Sequence, residues 1–272
     1  VGLSADVRVL FSQPTLAALA GAVGSGREVQ VPPNRIAAAC ARITPDMLTL
    51  VDLDQSTLDQ VVNQVPGGAA NVQDIYPLAT LQEGMLYHYL SAEQGDPYLL
   101  QSHLAFDCLE RLQAFAQALQ QVIDRHEILR TGVVWEGLVQ PLQVVWRRAE
   151  LPLEELQLDG DVLAALYAHS DARRYRLDIR QAPLIRLMFA QDPANQRVVA
   201  ALLYHHIALD HTAFDVVLRE MQGHLLGHAA PTVAPMPYRN YVAQARLGVS
   251  EQEHEAFFRE MLGDIDEPTL PF

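Results

Sequence analysis

Apolar residues recur along most of the chain at one of two spacings, and segments of the two kinds alternate. Leu112, Phe115, Ala116, Leu119 and Val122 follow one another at intervals of three and four, which predicts an amphipathic helix over Leu109–Arg125. The same spacing predicts a helix over Leu78–Leu90, with Leu81, Met85 and Tyr89 (or Leu78, Leu81 and Met85) inward, and another over Val162–Arg174. Alternation or short apolar runs predict strands over Tyr98–Phe106, over Val133–Trp135 and Leu142–Trp146 around Gly137, and over Leu184–Ala190 and Arg197–His205. The polar segment Asp192-Pro193-Ala194-Asn195 reads as the turn joining the last two. Thr212 is the expected cap of a helix with Phe214, Val217, Leu218, Met221 and Leu225 on one side. A helical stretch then runs from Tyr238 and Tyr241 through Glu251 to Leu262. This order of elements predicts an α+β fold, a mixed sheet with packed helices.

The first 70 residues read differently. Asp6–Ala20 suggests a short helix, with Pro14 at a first helical position, Leu16 and Leu19 on one face, and Gly21, Gly24 and Gly26 after it. Val31-Pro32-Pro33-Asn34 favours an extended linker. Thr44-Pro45 opens a short helix, and Asp54 caps a second with Leu58, Val61 and Val62 inward, stopped by Pro66-Gly67-Gly68.

Composition narrows the function class. Of 272 residues, half are hydrophobic and 19% are charged, enough for a sizeable core and against disorder. Thirty-three acids against 19 bases leave a net charge of −14, which disfavours a nucleic-acid partner. No apolar run is long enough to span a membrane. Cys40 and Cys108 lack metal-ligand or disulfide-framework spacing. The start at Val1, without Met or a basic leader, suggests a piece of a longer cytoplasmic chain.

The densest chemistry is Tyr204-His205-His206-Ile207-Ala208-Leu209-Asp210-His211, where an apolar strand ends and a capped helix begins. Strand ends feeding loops present functional groups on a rigid scaffold. Neighbours on a strand alternate, so one histidine faces a cavity and the other the core. A satisfied polar cluster and a metal site are the competing readings of His205, His206, Asp210 and His211; adjacent strand residues pointing apart count against the metal. A second cluster, Arg125-His126-Glu127-Ile128-Leu129-Arg130-Thr131, ends the long helix; Arg130 could pair bidentately with Asp210.

Together these segments resemble the condensation domain of nonribosomal peptide synthetases, in the chloramphenicol-acetyltransferase-like superfamily. His205 to His211 matches its His-His-x-x-x-Asp-Gly motif except at His211, and Arg125 to Thr131 matches a second motif throughout. Pro77-Leu78-Ala79-Thr80-Leu81-Gln82-Glu83-Gly84-Met85-Leu86 resembles the opening motif, and Tyr238-Arg239-Asn240-Tyr241 a fourth. His88 to Asp96 resembles, apart from Tyr89, a motif of members that also epimerise the donor, which draws in His88, Gly95 and Asp96; His211 adds a side chain to the channel where the family has glycine.

The resemblance implies two lobes in a V with the site between them. Residues 71–272 would be the N-terminal lobe, 27–70 a linker with short helices, and 1–26 the last helix of a peptidyl carrier domain, with the C-terminal lobe missing. It implies peptide-bond formation between carrier-bound thioesters. His206 would be the catalytic residue, as base or as anchor of the amine, supported by His205, Asp210 and Arg130. Substrates would arrive on phosphopantetheine arms, with no metal and no cofactor attached to this segment. The partners implied are upstream and downstream carrier domains, an adenylation domain and the missing lobe, and the segment alone would be inactive. An acyl-CoA-dependent acyltransferase of the same superfamily and a non-catalytic carrier-docking module are the alternatives.

Overall fold

The computed structural model describes residues 3–4, 15, 17–18, 20, 24–25, 29–38, 40–228 and 233–265. It divides into two units, one of Val1–Pro32 with Ala243–Phe272 and one of Pro33–Val242. The expected helix over Asp6–Ala20 lies almost wholly outside the described residues.

In the larger unit a first helix, α1 (Gln55–Asn63), is capped as expected: the Asp54 carboxylate accepts from Thr57 N at 3.0 Å. Leu58, Val61 and Val62 are buried. Thr44 precedes a single 3₁₀ turn, Pro45–Met47, without a side-chain cap, because its hydroxyl donates to Asp46 Oδ1 at 2.6 Å instead.

In the larger unit the strands form two sheets where the sequence suggested one. In a three-stranded antiparallel sheet, β1 (Val72–Pro77) and β3 (Thr131–Val134) flank β4 (Leu142–Trp146). Ile36, Ile43, Leu48, Leu58 and Val61 pack on it against Ile75, Val144 and Trp146. In a four-stranded mixed sheet the order is β2 (Leu99–Phe106), β7 (Arg197–His205), β6 (Ile185–Asp192) and β5 (Leu153–Glu155), with β5 and β6 parallel. β6 and β7 join through the expected turn at Pro193–Asn195.

Strand β7 is buried on both faces, which is why it reads as a nearly unbroken apolar run. Val198, Ala200, Leu202 and Tyr204 face α3 (Leu109–Arg125) and α5 (His211–Leu225), against Leu112, Leu119, Ile123, Val217 and Met221. Val199, Ala201 and Leu203 face Val162 and Leu166 of α4 (Val162–His169). Period two therefore assigns His205 to the second face, and its side chain is 0% exposed.

Four helix expectations are corrected. In α2 (Thr80–Ser91) Leu81 is 68% exposed; the inward stripe is Gln82, Met85, Leu86 and Tyr89, because Gln82 spends its amide on buried partners. α4 stops at His169 rather than Arg174, since Asp171 turns the chain by accepting from Arg173 N at 3.0 Å. α5 is capped by Asp210, which accepts from Ala213 N at 2.7 Å; Thr212 lies inside the helix, and Leu218 and Leu225 are exposed. The last helical stretch is two helices, α6 (Tyr238–Leu247) and α7 (Glu251–Leu262). Ser250 and Glu253 form a capping box at the start of the second.

Candidate active site

The site is built where β7 ends beside the start of β2. Leu99 pairs with His205, so Tyr98 stands opposite His206. His206 N donates to Tyr98 O at 2.8 Å, and Ala208 N to His205 O at 3.1 Å, which turns the chain immediately after the pair. Ile207 and Leu209 are buried and anchor that turn.

The two histidines divide as alternation predicts. His205 is sealed in the interior, while His206 is half-buried. Each ring is fixed by a backbone group. His205 Nδ1 accepts from Ile207 N at 3.0 Å, so a neutral His205 carries its proton on Nε2. His206 Nδ1 lies 3.2 Å from Leu209 O, which can only accept, so in the neutral ring Nδ1 carries the proton and Nε2 the lone pair. The Tyr98 ring is parallel to the His206 ring within 8°, with centroids 6.4 Å apart.

The acid behind the pair is Asp96. Its Oδ2 lies 3.1 Å from His205 Nε2, in a bent approach with both side chains 0% exposed, and its Oδ1 accepts from Tyr98 N at 2.9 Å. Burial alone would raise the Asp96 pKa; the His205 ring, the Tyr98 N–H and the charge of Arg176 outweigh it and hold the pKa below the ordinary value. Gly95 makes the approach of this loop possible. Its φ is +67°, and an added Cβ would fall 2.5 Å from the Arg173 carbonyl. Asp96 N donates to Ala172 O at 2.8 Å across the same contact.

A further layer supports His205. The Tyr89 ring meets it edge-on at 6.0 Å, and the Tyr89 hydroxyl donates to Leu177 O at 3.0 Å. Arg176 lies 4.1 Å over the Tyr89 ring and donates to Tyr89 O and Ala92 O, closing the end of α2. Gln82 reaches the loop from the other end of α2, donating to Ile207 O at 2.9 Å.

The expected Arg130–Asp210 ion pair is not formed. Arg130 is buried and donates to Ile123 O, Gln73 Oε1 and Trp146 O, tying the end of α3 to the three-stranded sheet. Asp210 is exposed and caps α5. The neighbouring motif residues serve other joints: His126 Nε2 lies 2.9 Å from Glu220 of α5, and Glu127 accepts from Gln73 at 2.6 Å.

His211 is exposed in the first turn of α5, and His88 is exposed on α2 with its ring 6.0 Å from that of Tyr98. Tyr98 thus links His88 and His206, whereas Gly95 and Asp96 serve His205. The potential donors His205 and Asp210 are turned to separate partners, so the four residues do not converge on a metal. No group of three or more potential ligands is gathered among the described residues.

Tyr98, Tyr89 and Arg176 join the site without having been singled out by motif or charge. Tyr98 comes there through the pairing of β2 with β7, which local pattern does not reveal.

A family model described as "Condensation domain" matches residues 72–271. The chain belongs to the condensation-domain family. It is similar to malpinin synthetase of Mortierella alpina, with 50% identity over 275 residues, covering all of this chain and 4% of that protein. A linear gramicidin synthase of Brevibacillus parabrevis is 32% identical over 242 residues, covering 85% of this chain and 3% of that one. The chain therefore spans a small fraction of these curated relatives.

Among solved structures, the starter condensation domain of the rhizomide synthetase superposes with a TM-score of 0.55 at 19% identity, covering 73% of this chain and 50% of that one. A four-domain nonribosomal peptide synthetase bound to AMP and glycine gives 0.57 at 17%, covering 70% and 15%. These likenesses bear on the fold, the α+β architecture of condensation domains. The site of this condensation-domain segment differs from the motif-based expectation in its acid: Asp96, not Asp210, stands behind the histidines.

Proposed function

We propose that this segment supplies the His206 wall of a condensation site in a nonribosomal peptide synthetase. There the α-amine of one carrier-bound aminoacyl thioester attacks the carbonyl of another. The carbon–nitrogen bond forms, the carbon–sulfur bond breaks, and the thiol leaves with the proton that the amine gives up. The observation that carries this reading is a half-buried His206, fixed through Nδ1 at the Leu209 carbonyl, beside a sealed His205. Nε2 would accept a hydrogen bond from the attacking amine and relay its proton. Holding two tethered substrates beside it supplies much of the remaining acceleration through effective concentration.

The proposal extends to the surroundings. Residues 71–272 belong to an N-terminal lobe, completed by a C-terminal lobe that makes the other channel wall; residues 27–70 connect it to the end of a carrier domain at 1–26. The match to about half of one solved condensation domain supports this division. Substrates arrive on phosphopantetheine arms of upstream and downstream carriers, one charged by an adenylation domain, in the cytoplasm. No helix among the described residues is long and apolar enough to cross a membrane.

Epimerisation of the donor before condensation is a second reading, favoured by His88 standing beside Tyr98. In it the α-proton is removed and returned at the carbon acidified by the thioester, with His206 as base.

The test uses the complete synthetase with carriers loaded with defined residues. His206→Ala should abolish amide formation while leaving carrier loading intact; unchanged turnover would leave only a scaffold. A product retaining the donor's original configuration removes the epimerisation reading.

A further inference from the structure

We infer that Asp96 is the positioning residue for His206, acting through His205 on one side and Tyr98 on the other. The catalytic consequence rests on the role proposed for His206; the positioning itself does not.

The argument is one of donors and acceptors. The Asp96 carboxylate accepts from Tyr98 N at 2.9 Å through Oδ1, and its Oδ2 lies 3.1 Å from His205 Nε2 in a bent, buried contact. His205 can face it with a proton only because Nδ1 is the acceptor for Ile207 N. Ile207 follows His206 directly, and its carbonyl is held by Gln82. On the other side, Tyr98 O accepts from His206 N at 2.8 Å, and the Tyr98 ring lies parallel to the His206 ring. His206 is therefore held between two segments that meet at one buried carboxylate.

An asparagine at position 96 cannot serve both donors. Whichever way its amide turns, its NH₂ meets either Tyr98 N–H or His205 Nε2–H. His205 can relieve the second clash only by moving its proton to Nδ1, which then confronts Ile207 N–H. Each route displaces a residue adjacent to or stacked on His206, and a shift near 1 Å at a reacting group costs about 100-fold in rate.

The experiment uses the complete synthetase carrying Asp96→Asn, with Asp96→Ser as the variant should the first not fold. Single-turnover amide formation between loaded carriers is measured alongside the pH dependence of His206 acylation by diethylpyrocarbonate, read by peptide mass spectrometry. The expected result is a rate loss of about 100-fold at unchanged carrier saturation, with a displaced acylation profile at His206. A native acylation profile overturns the inference, whether or not the rate falls, because a merely structural loss would leave the surviving folded sites native. His206→Ala separates the two readings. If it retains turnover, the proposed role of His206 fails, while the acylation profile still decides the role of Asp96.

Discussion

The side-chain amides of Gln82 and Gln143 bond to each other twice, each Nε2 donating to the other's Oε1 at 3.0–3.1 Å. Both are buried. Gln82 Oε1 also accepts from Ala79 N, and its Nε2 donates to Ile207 O, while Gln143 donates to Pro77 O. One buried pair thus joins the start of α2, the three-stranded sheet and the loop after His206. A polar pair in a core is tolerable only when fully satisfied, and this one is.

Breaking that pair should be costly in a way that depends on what replaces it. Gln82→Leu leaves the Ile207 carbonyl and the Gln143 amide short of partners, and a loss of about 2–4 kcal/mol is expected. Gln82→Glu places a carboxylate against two acceptors, so it should be worse than leucine at neutral pH and recover towards it in acid, as the carboxyl takes up a proton. Urea unfolding at a series of pH values measures this; parallel curves for the two variants would show that the pair does not carry the load assigned to it.

Asp210 offers a contrast. It is exposed, and its carboxylate accepts from Ala213 N. Asp210→Ala should cost about 1 kcal/mol, the worth of an N-cap, and Asp210→Ser should recover most of it. Loss of a buried ion pair with Arg130 would cost about 3–5 kcal/mol, so equilibrium unfolding of the two variants distinguishes the roles.

Gly95 and Gly137 separate backbone strain from crowding. Both have positive φ, +67° and +72°, but a Cβ at Gly137 meets nothing within 4 Å while one at Gly95 collides with the Arg173 carbonyl. Gly137→Ala should cost about 1–2 kcal/mol from the left-handed backbone alone. Gly95→Ala should cost clearly more, and should also displace Asp96 and slow amide formation in the complete synthetase. Equal losses at the two sites would mean that the loop at 95 can yield.

Local patterns made much of this legible. Leu109–Arg125 and Arg197–His205 have the bounds expected of them, because spacing and strand burial are local properties of the sequence. The division of labour between His205 and His206 also follows from strand alternation. What could not be read was partnership across the chain. Asp96 reaches His205 through the pairing of β2 with β7, and Gln82 reaches Ile207 over 125 positions. Leu81 and Gln82 show the same limit: hydrophobicity favours the leucine as the inward residue, but the glutamine finds partners there that only the tertiary fold supplies. Charge and motif proximity pair Arg130 with Asp210, yet each satisfies its polar groups elsewhere.

Asp74 gives the fold a pH dependence whose sign can be derived. Its carboxylate is buried, accepts from Arg239 Nη1 at 2.8 Å and receives Ile75 N at 2.9 Å. Burial raises its pKa more than the Arg239 charge lowers it, to about 6. An unfolded aspartate titrates near 4, so between about pH 4 and 6 the folded state binds the extra proton. Stability from this group therefore falls as pH rises through that window, by about 3 kcal/mol for a difference of two units. Carboxylates held low, such as Asp178 beside Arg180, contribute with the opposite sign, gaining as pH rises from below. The difference between variants isolates the Asp74 part. Asp74→Asn cannot titrate, so it should be less stable than the native protein near pH 4, with the gap narrowing steadily towards pH 7. A gap independent of pH, measured by urea unfolding across that range, would show that Asp74 titrates alike in the folded and unfolded chains.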